Sequence, residues 1–278
     1  MNPRLPRAIA PGMLGAVLAL LGAQSAGAAS PADAFPNAAR AYVVAVDNRT
    51  LWARNADSPR PPASLAKLIS ALVLLRDPWD DKRVVRISKA AAAIEGTQLG
   101  LKEGEQLRAG DALTAMLMRS ANDACLALAE DANGSVTGFV ARMNSLAAEL
   151  GLRNTVFRTP CGLDAPGQRT TANDLLMLAR AAMLRPEIAK RVGRARDSVV
   201  TLDGRKISFT NNNALVGRTP GTIGVKSGYT SAAGKCVIAL AERDGHRVWL
   251  VMLDAPNRWW AAEGIITAAF DSVANGGT

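Results

Sequence analysis

This chain reads as strands towards both ends with a helical period between them. That order allows few folds, because strands split between the two ends must be rejoined in space before they can share a buried face. Near the start, Ala41-Tyr42-Val43-Val44-Ala45-Val46 and Leu51-Trp52-Ala53 read as a hairpin across Asp47-Asn48-Arg49. Prolines at 59, 61 and 62 stop the extended run, and residues 65–75 follow as a helix that is apolar all round, which implies burial at the centre of a domain. Residues 88–185 are mostly helical, most clearly over 111–118, 123–131, 136–150 and 171–184, where Thr171 and Asp174 make a capping box. From Ser198 the period returns to two: 199–202 and 206–209 flank Asp203-Gly204 as a second hairpin, and 223–226, 237–241 and 248–253 add three strands. A helix over 259–273 closes the chain. The expected fold is α/β, with one antiparallel sheet completed by both ends and residues 88–185 as a mostly helical lobe between them.

The first 28 residues read as an export signal. Arg4 and Arg7 are basic, 13–22 is a short apolar run, and Ala26-Gly27-Ala28 offers small residues for cleavage before Ala29. That run is too short to span a bilayer, no cysteine follows it directly, and no later segment is long and apolar enough to cross a membrane. The mature chain is therefore expected to be soluble and exported, periplasmic or otherwise extracytoplasmic, or peripherally held at the wall. Residues 29–278 suffice for one large domain with an inserted lobe. With 49% hydrophobic but only 4% aromatic residues, its core must be built from Ala, Leu, Val and Ile. Net charge is +9, or +7 without Arg4 and Arg7, but the basic residues are scattered with no interleaved aromatics, which argues against nucleic acid. An anionic wall polymer is the better partner for such a charge. Cys125, Cys161 and Cys236 do not form a disulfide framework by spacing. Cys125 and Cys236 read as small buried hydrophobes, with a disulfide among the three left open. A lone histidine and no CxxC pair speak against a metal, and no cofactor is expected.

That histidine, His246, lies beside an Asp-Gly turn, a poor place for the base of a Ser-His-Asp triad. Three other segments carry chemistry. Ser64-Leu65-Ala66-Lys67 opens the apolar helix, and Ser64 alone reads as an ordinary N-cap. A capping box would place Glu or Gln three residues on, yet Lys67 stands there, where helix dipole and burial both favour a neutral amine. Three residues apart, the two share a face, so the amine can act as base to the hydroxyl. Ser120-Ala121-Asn122 interrupts two helical runs, either as a cap or as a loop bearing a proton relay and a substrate-holding amide. Lys226-Ser227-Gly228 ends a strand, either as a plain terminus or as an open edge on which an extended peptide adds as a further strand.

Together with Gly162-Leu163-Asp164-Ala165-Pro166-Gly167-Gln168 and Lys226-Ser227-Gly228-Tyr229-Thr230-Ser231-Ala232-Ala233-Gly234, these motifs make the chain resemble the low-molecular-mass penicillin-binding proteins over about residues 36–270. Those are serine D-alanyl-D-alanine carboxypeptidases and D,D-endopeptidases of peptidoglycan. The resemblance implies a three-layer sandwich, a central antiparallel sheet flanked by helices, plus the helical lobe. It also implies that Ser64 is acylated by the penultimate D-Ala carbonyl with Lys67 as base and Ser120 as proton shuttle. Asn122, Lys226, Ser227 and Gly228 would bind substrate, and the backbone N–H groups of Ser64 and Tyr229 would form the oxyanion hole. Substrates would be stem-peptide termini or D-Ala-diaminopimelate cross-links, and β-lactams would acylate Ser64 covalently.

Several positions depart from the family. Ser227 replaces a more usual Thr, Asn211-Asn212-Asn213 has no Arg, and Cys161 stands where several relatives have His. No β-rich C-terminal domain or amphipathic anchor follows the last helix in this sequence, a lean towards the endopeptidase branch. A β-lactamase would need a deacylating Glu, and no segment resembles the loop that bears it. A non-catalytic wall-binding or β-lactam-sensing module would not need a nucleophile paired with a base.

Overall fold

The computed structural model describes residues 32–274, so the export-signal reading lies outside the described residues. In chain order, strands β1 (Ala41–Val46) and β2 (Arg49–Arg54) precede a 3-10 turn (Ala63–Ala66) that runs into helix α1 (Lys67–Leu74). Then come β3 (Val84–Arg86), α2 (Lys89–Ala93), β4 (Gln106–Arg108) and α3 (Ala109–Thr114), which passes into a π-helical turn (Ala115–Arg119). Helices α4 (Asn122–Asn133), α5 (Val136–Glu149), α6 (Ala172–Met183) and α7 (Pro186–Val192) follow. The chain closes with β5 (Arg196–Val200), β6 (Lys206–Thr210), β7 (Thr222–Thr230), β8 (Gly234–Arg243), β9 (His246–Leu253) and α8 (Arg258–Ala274).

The main sheet is antiparallel in the order β2-β1-β9-β8-β7. Strands from both ends of the sequence meet where β1 pairs with β9 from Ala41↔Leu253 to Val46↔Val248. Alternation along β1 explains why it reads as an unbroken apolar run. Ala41, Val43 and Ala45 enter one core while Tyr42, Val44 and Val46 enter the other, so both faces are covered. Helix α8 covers one face with Ala261, Ala262, Ile265, Ile266 and Ala269, a single apolar stripe at helical spacing. Helix α6 crosses β1 and β9 on the other face, and α1 sits buried among α4, α5 and α6. The result is helix, sheet, helix, with α2–α5 built out on one side.

Three details differ from the sequence expectation. The β5–β6 hairpin forms, but as a separate two-stranded sheet. A further pair, β3–β4, and the short helix α7, with Pro186 in its first turn, carry too few residues for periodicity to reveal. Thr171 Oγ1 accepts from the Asp174 amide (3.1 Å), but the carboxylate does not reach back. It accepts instead from Thr155 Oγ1 (2.7 Å) and the Asn154 amide (2.9 Å), tying α6 to the preceding loop.

Candidate active site

Ser64 is not an N-cap. The 3-10 turn starts after Pro62 with no side-chain cap, Ala63 has φ of +48°, and Ser64 lies half-buried inside the turn. Its hydroxyl is therefore not occupied by the helix end. Lys67 is the first residue of α1 and fully buried. Its Nζ lies 3.0 Å from Ser64 Oγ, 2.7 Å from Asn122 Oδ1 and 2.8 Å from the Cys161 carbonyl oxygen. Burial, reinforced by the charge of Lys226, holds its pKa well below the usual lysine range. A neutral amine carries two N–H groups and one lone pair. With the amide and carbonyl oxygens taking both N–H groups, the lone pair is left facing Ser64 Oγ.

The second lysine comes from the opposite side. Strand β7 is one edge of the main sheet, and Lys226 is buried on it. Its Nζ donates to Ser120 Oγ (2.9 Å) and to the Ser227 carbonyl (2.7 Å). Burial, with Arg258 as a second cause, lowers its pKa to about 7. Because Ser120 Oγ accepts from Lys226, its own proton is free to be donated elsewhere. Gly228 lets β7 close on Ser64: a β-carbon there would lie 3.0 Å from the Ser64 amide nitrogen. Tyr229 follows with its side chain largely exposed at the strand edge.

Ser120 occupies the left-handed region (φ +65°) at the end of the π-helical turn, a conformation uncommon for serine that needs external support. Asn212 supplies it, donating from Nδ2 to the Arg119 carbonyl (2.7 Å), giving its own amide to the Met118 carbonyl (2.8 Å) and accepting from Arg119 Nη1 (3.0 Å). The Asn211-Asn212-Asn213 stretch that lacks an arginine thus lies against the Arg119 guanidinium. A groove of 720 Å³ opens beside Arg119 along β5 and β6.

Other ties were not visible as such in the sequence. Asn122 donates from Nδ2 to the Glu95 carbonyl (2.6 Å), and buried Asp123 accepts the amides of Leu99, Gly100 and Leu101, which fixes the loop facing Asn122. Gly162, at φ +80°, packs so closely on Ala63 that a β-carbon would collide with the Ala63 carbonyl. Asp164 accepts from Thr230 Oγ1 (2.6 Å) and the Ala232 amide (3.1 Å), and Gln168 braces the same loop through the Arg158 and Thr159 amides and the Leu163 carbonyl. Arg258, at the start of α8, donates to the Gly228 carbonyl (2.6 Å). No motif marks Arg258, because it reaches β7 only across the fold. The Gly162 to Gln168 motif was legible as a string, but its role as a brace between Ala63 and Thr230 was not.

The cysteine reading needs one correction. Cys125 is not an isolated buried hydrophobe: it is bridged to Cys161, 36 residues on, with Cα atoms 5.9 Å apart. In the loop-entropy view, closing a loop of that size stabilises the fold by about 4 kcal/mol. Cys236 is a buried free thiol, pushed up to about 11 by burial, as suits a spectator. His246 is also a spectator. It pairs with Asp47 (2.9 Å) and faces Arg243, seven residues along β8 from Cys236, the partner of Gly228. At about 3.3 Å per residue that separation is roughly 23 Å, far outside reach of Ser64.

Fold and cleft together define an α/β protein in which a serine just before a helix meets a buried lysine, with an edge strand forming the opposite wall. Residues 28–257 match the D-alanyl-D-alanine carboxypeptidase family, and the chain belongs to that family. It is 33% identical to D-alanyl-D-alanine carboxypeptidase DacF of Bacillus subtilis over 74% of this chain and 54% of the relative. It is 32% identical to the D-alanyl-D-alanine endopeptidase of Escherichia coli over 82% of this chain and 75% of that protein. Among solved structures, the Streptomyces K15 DD-transpeptidase superposes with a TM-score of 0.79 at 27% identity, covering 84% of this chain and 97% of that one. The chain spans about half the length of the DacF relative.

Proposed function

We propose that this protein is a serine D,D-peptidase of peptidoglycan, acting on D-Ala-D-Ala stem-peptide termini, on D-Ala-diaminopimelate cross-links, or on both. The observation that carries the reading is the 3.0 Å contact between Lys67 Nζ and Ser64 Oγ, with the other two neighbours of the amine fixed by Asn122 and Cys161. Lys67 takes the Ser64 proton as Oγ attacks the penultimate D-Ala carbonyl. The Ser64 and Tyr229 amides hold the resulting oxyanion, a role the close approach of Gly228 to the Ser64 backbone supports. Ser120, hydrogen-bonded to Lys226, gives its proton to the leaving amine and is then reprotonated from the Lys67 side. Lys226, with Arg258 behind it, supplies positive charge for the carboxylate of the departing residue. Asn122, Ser227 and Gly228 align the peptide as an added strand on β7. Water then releases the acyl group from Ser64.

The +9 net charge suits an anionic wall polymer, and no helix among the described residues is long and apolar enough to cross a membrane. Export into an extracytoplasmic compartment accords with both, and with the buried disulfide. The test is intact mass after incubation with benzylpenicillin. A stable one-to-one adduct on the wild type, lost in Ser64→Ala, is expected; no adduct and no hydrolysis by a folded wild type would overturn the reading.

A further inference from the structure

Two of the three groups around Lys67 Nζ belong to one covalently closed unit. Asn122, whose Oδ1 lies 2.7 Å from the amine, begins α4, and Cys161, whose carbonyl lies 2.8 Å from it, lies in the loop before Gly162. Cys125, on the first turn of α4, is bonded to Cys161, and Cys161 Sγ also lies 3.8 Å from the Asn122 carbonyl oxygen. Both cysteines are buried. The bond therefore spans the gap between the two segments that hold the N–H groups of the amine. Among the described residues, Cys236 is the remaining cysteine and takes no part in this unit.

We infer that the Cys125–Cys161 disulfide is a positioning element for the Lys67 base, an inference that rests on the serine-lysine reading above. A tertiary clamp is needed here because neither acceptor is sequence-local to Lys67: Asn122 is 55 residues away and Cys161 is 94. If the Cys161 carbonyl drifts, the freed N–H can turn towards Ser64 and the lone pair away from it. A misplacement of about 1 Å in a reacting geometry is enough to slow a step by roughly 10²-fold. A looser cradle also admits water, which relieves the burial that lowers the Lys67 pKa and moves it up towards the ordinary lysine value. Acylation thereby becomes sensitive to thiols. A dithiol reductant gives two electrons and two protons to the bond, leaving two cysteine thiols and an oxidised dithiol.

The experiment compares wild type with the double variant Cys125→Ala/Cys161→Ala, measuring acylation by a chromogenic β-lactam across about pH 5 to 9. Both proteins are first shown to be folded by circular dichroism at the assay temperature. The expected result is acylation slowed by roughly 10- to 100-fold in the double variant, with the rising limb of the pH profile displaced to higher pH. A purely structural bond would lower the melting temperature and leave that limb where it was, and this outcome would sink the inference. Should the double variant not fold, folded wild type is reduced with dithiothreitol until thiol titration shows the bond open. Slowed acylation that returns on reoxidation supports the clamp, and an unchanged rate overturns it. Failure of the underlying reading looks different, since the oxidised wild type would then form no adduct on Ser64.

Discussion

The two faces of the main sheet are built from the same kinds of apolar residue but hold different contents. The face under α8 is a plain core: Val44, Val237, Ala239, Leu250 and Met252 pack on Ala262, Ile265, Ile266 and Ala269. The opposite face also buries apolar side chains, yet Lys67, Ser120, Asn122 and Lys226 are buried on the same side of the molecule. Burying two lysines costs stability unless each is hydrogen-bonded, and each here has its neighbours in place. The second face holds the larger apolar core and still accommodates groups that are unfavourable in a core unless they are hydrogen-bonded.

That contrast breaks most sharply at the base. In Lys67→Ala, acylation by benzylpenicillin is expected to fall by roughly 10³-fold while the fold survives, as rapid-quench mass spectrometry would show; an acylation rate like that of wild type in a folded variant would remove Lys67 from the mechanism.

Next in size is the face under α8, which holds no part of the Ser64–Lys67 cluster. Ile265→Ala should cost about 3 kcal/mol in denaturant unfolding and leave the acylation rate of the folded fraction unchanged, since Ile265 touches only the α8 core. A variant that unfolds no more easily, or that acylates differently, would mean the two faces are not separate in this way.

Lys226 sharpens the comparison through pH. Its native pKa of about 7 lies below the ordinary value of 10.5, so between those values the unfolded chain binds more protons than the native one. Stability therefore rises with pH across that window. Relative to Lys226→Met, the wild type should gain stability from about pH 7 upward. In catalysis the sign reverses. Positive charge at this position is lost above about pH 7, so kcat/KM for an anionic peptide should fall on that side, and Lys226→Arg should remove the falling limb.

The smallest effect concerns the cap of helix α6. Thr171→Ala should cost about 1 kcal/mol through loss of the bond to the Asp174 amide, with no change in acylation kinetics.

Most of the fold could be read directly. The six consecutive apolar residues of β1, the helical stripe of α8 and the Asp-Gly turn beside His246 are all local, and local pattern reports them. The short β3–β4 pair and α7 escaped because segments of three to seven residues hold too little periodicity. At the site, Ser64 and Lys67 were legible as a pair since they are three apart on one turn, and the cap reading of Ser64 failed because the helix opens with a 3-10 turn. The sequence alone therefore determined the candidate side chains for the chemistry and the order in which the elements run, since both depend on residue identity and short-range spacing. Only the tertiary structure decided the bond between Cys125 and Cys161, the seat of Arg258 beneath Gly228 and the support of Ser120 by Asn212. Those contacts join residues 30 to 93 positions apart, and their distance in space is set by how the sheet and helices pack rather than by any local preference of the chain.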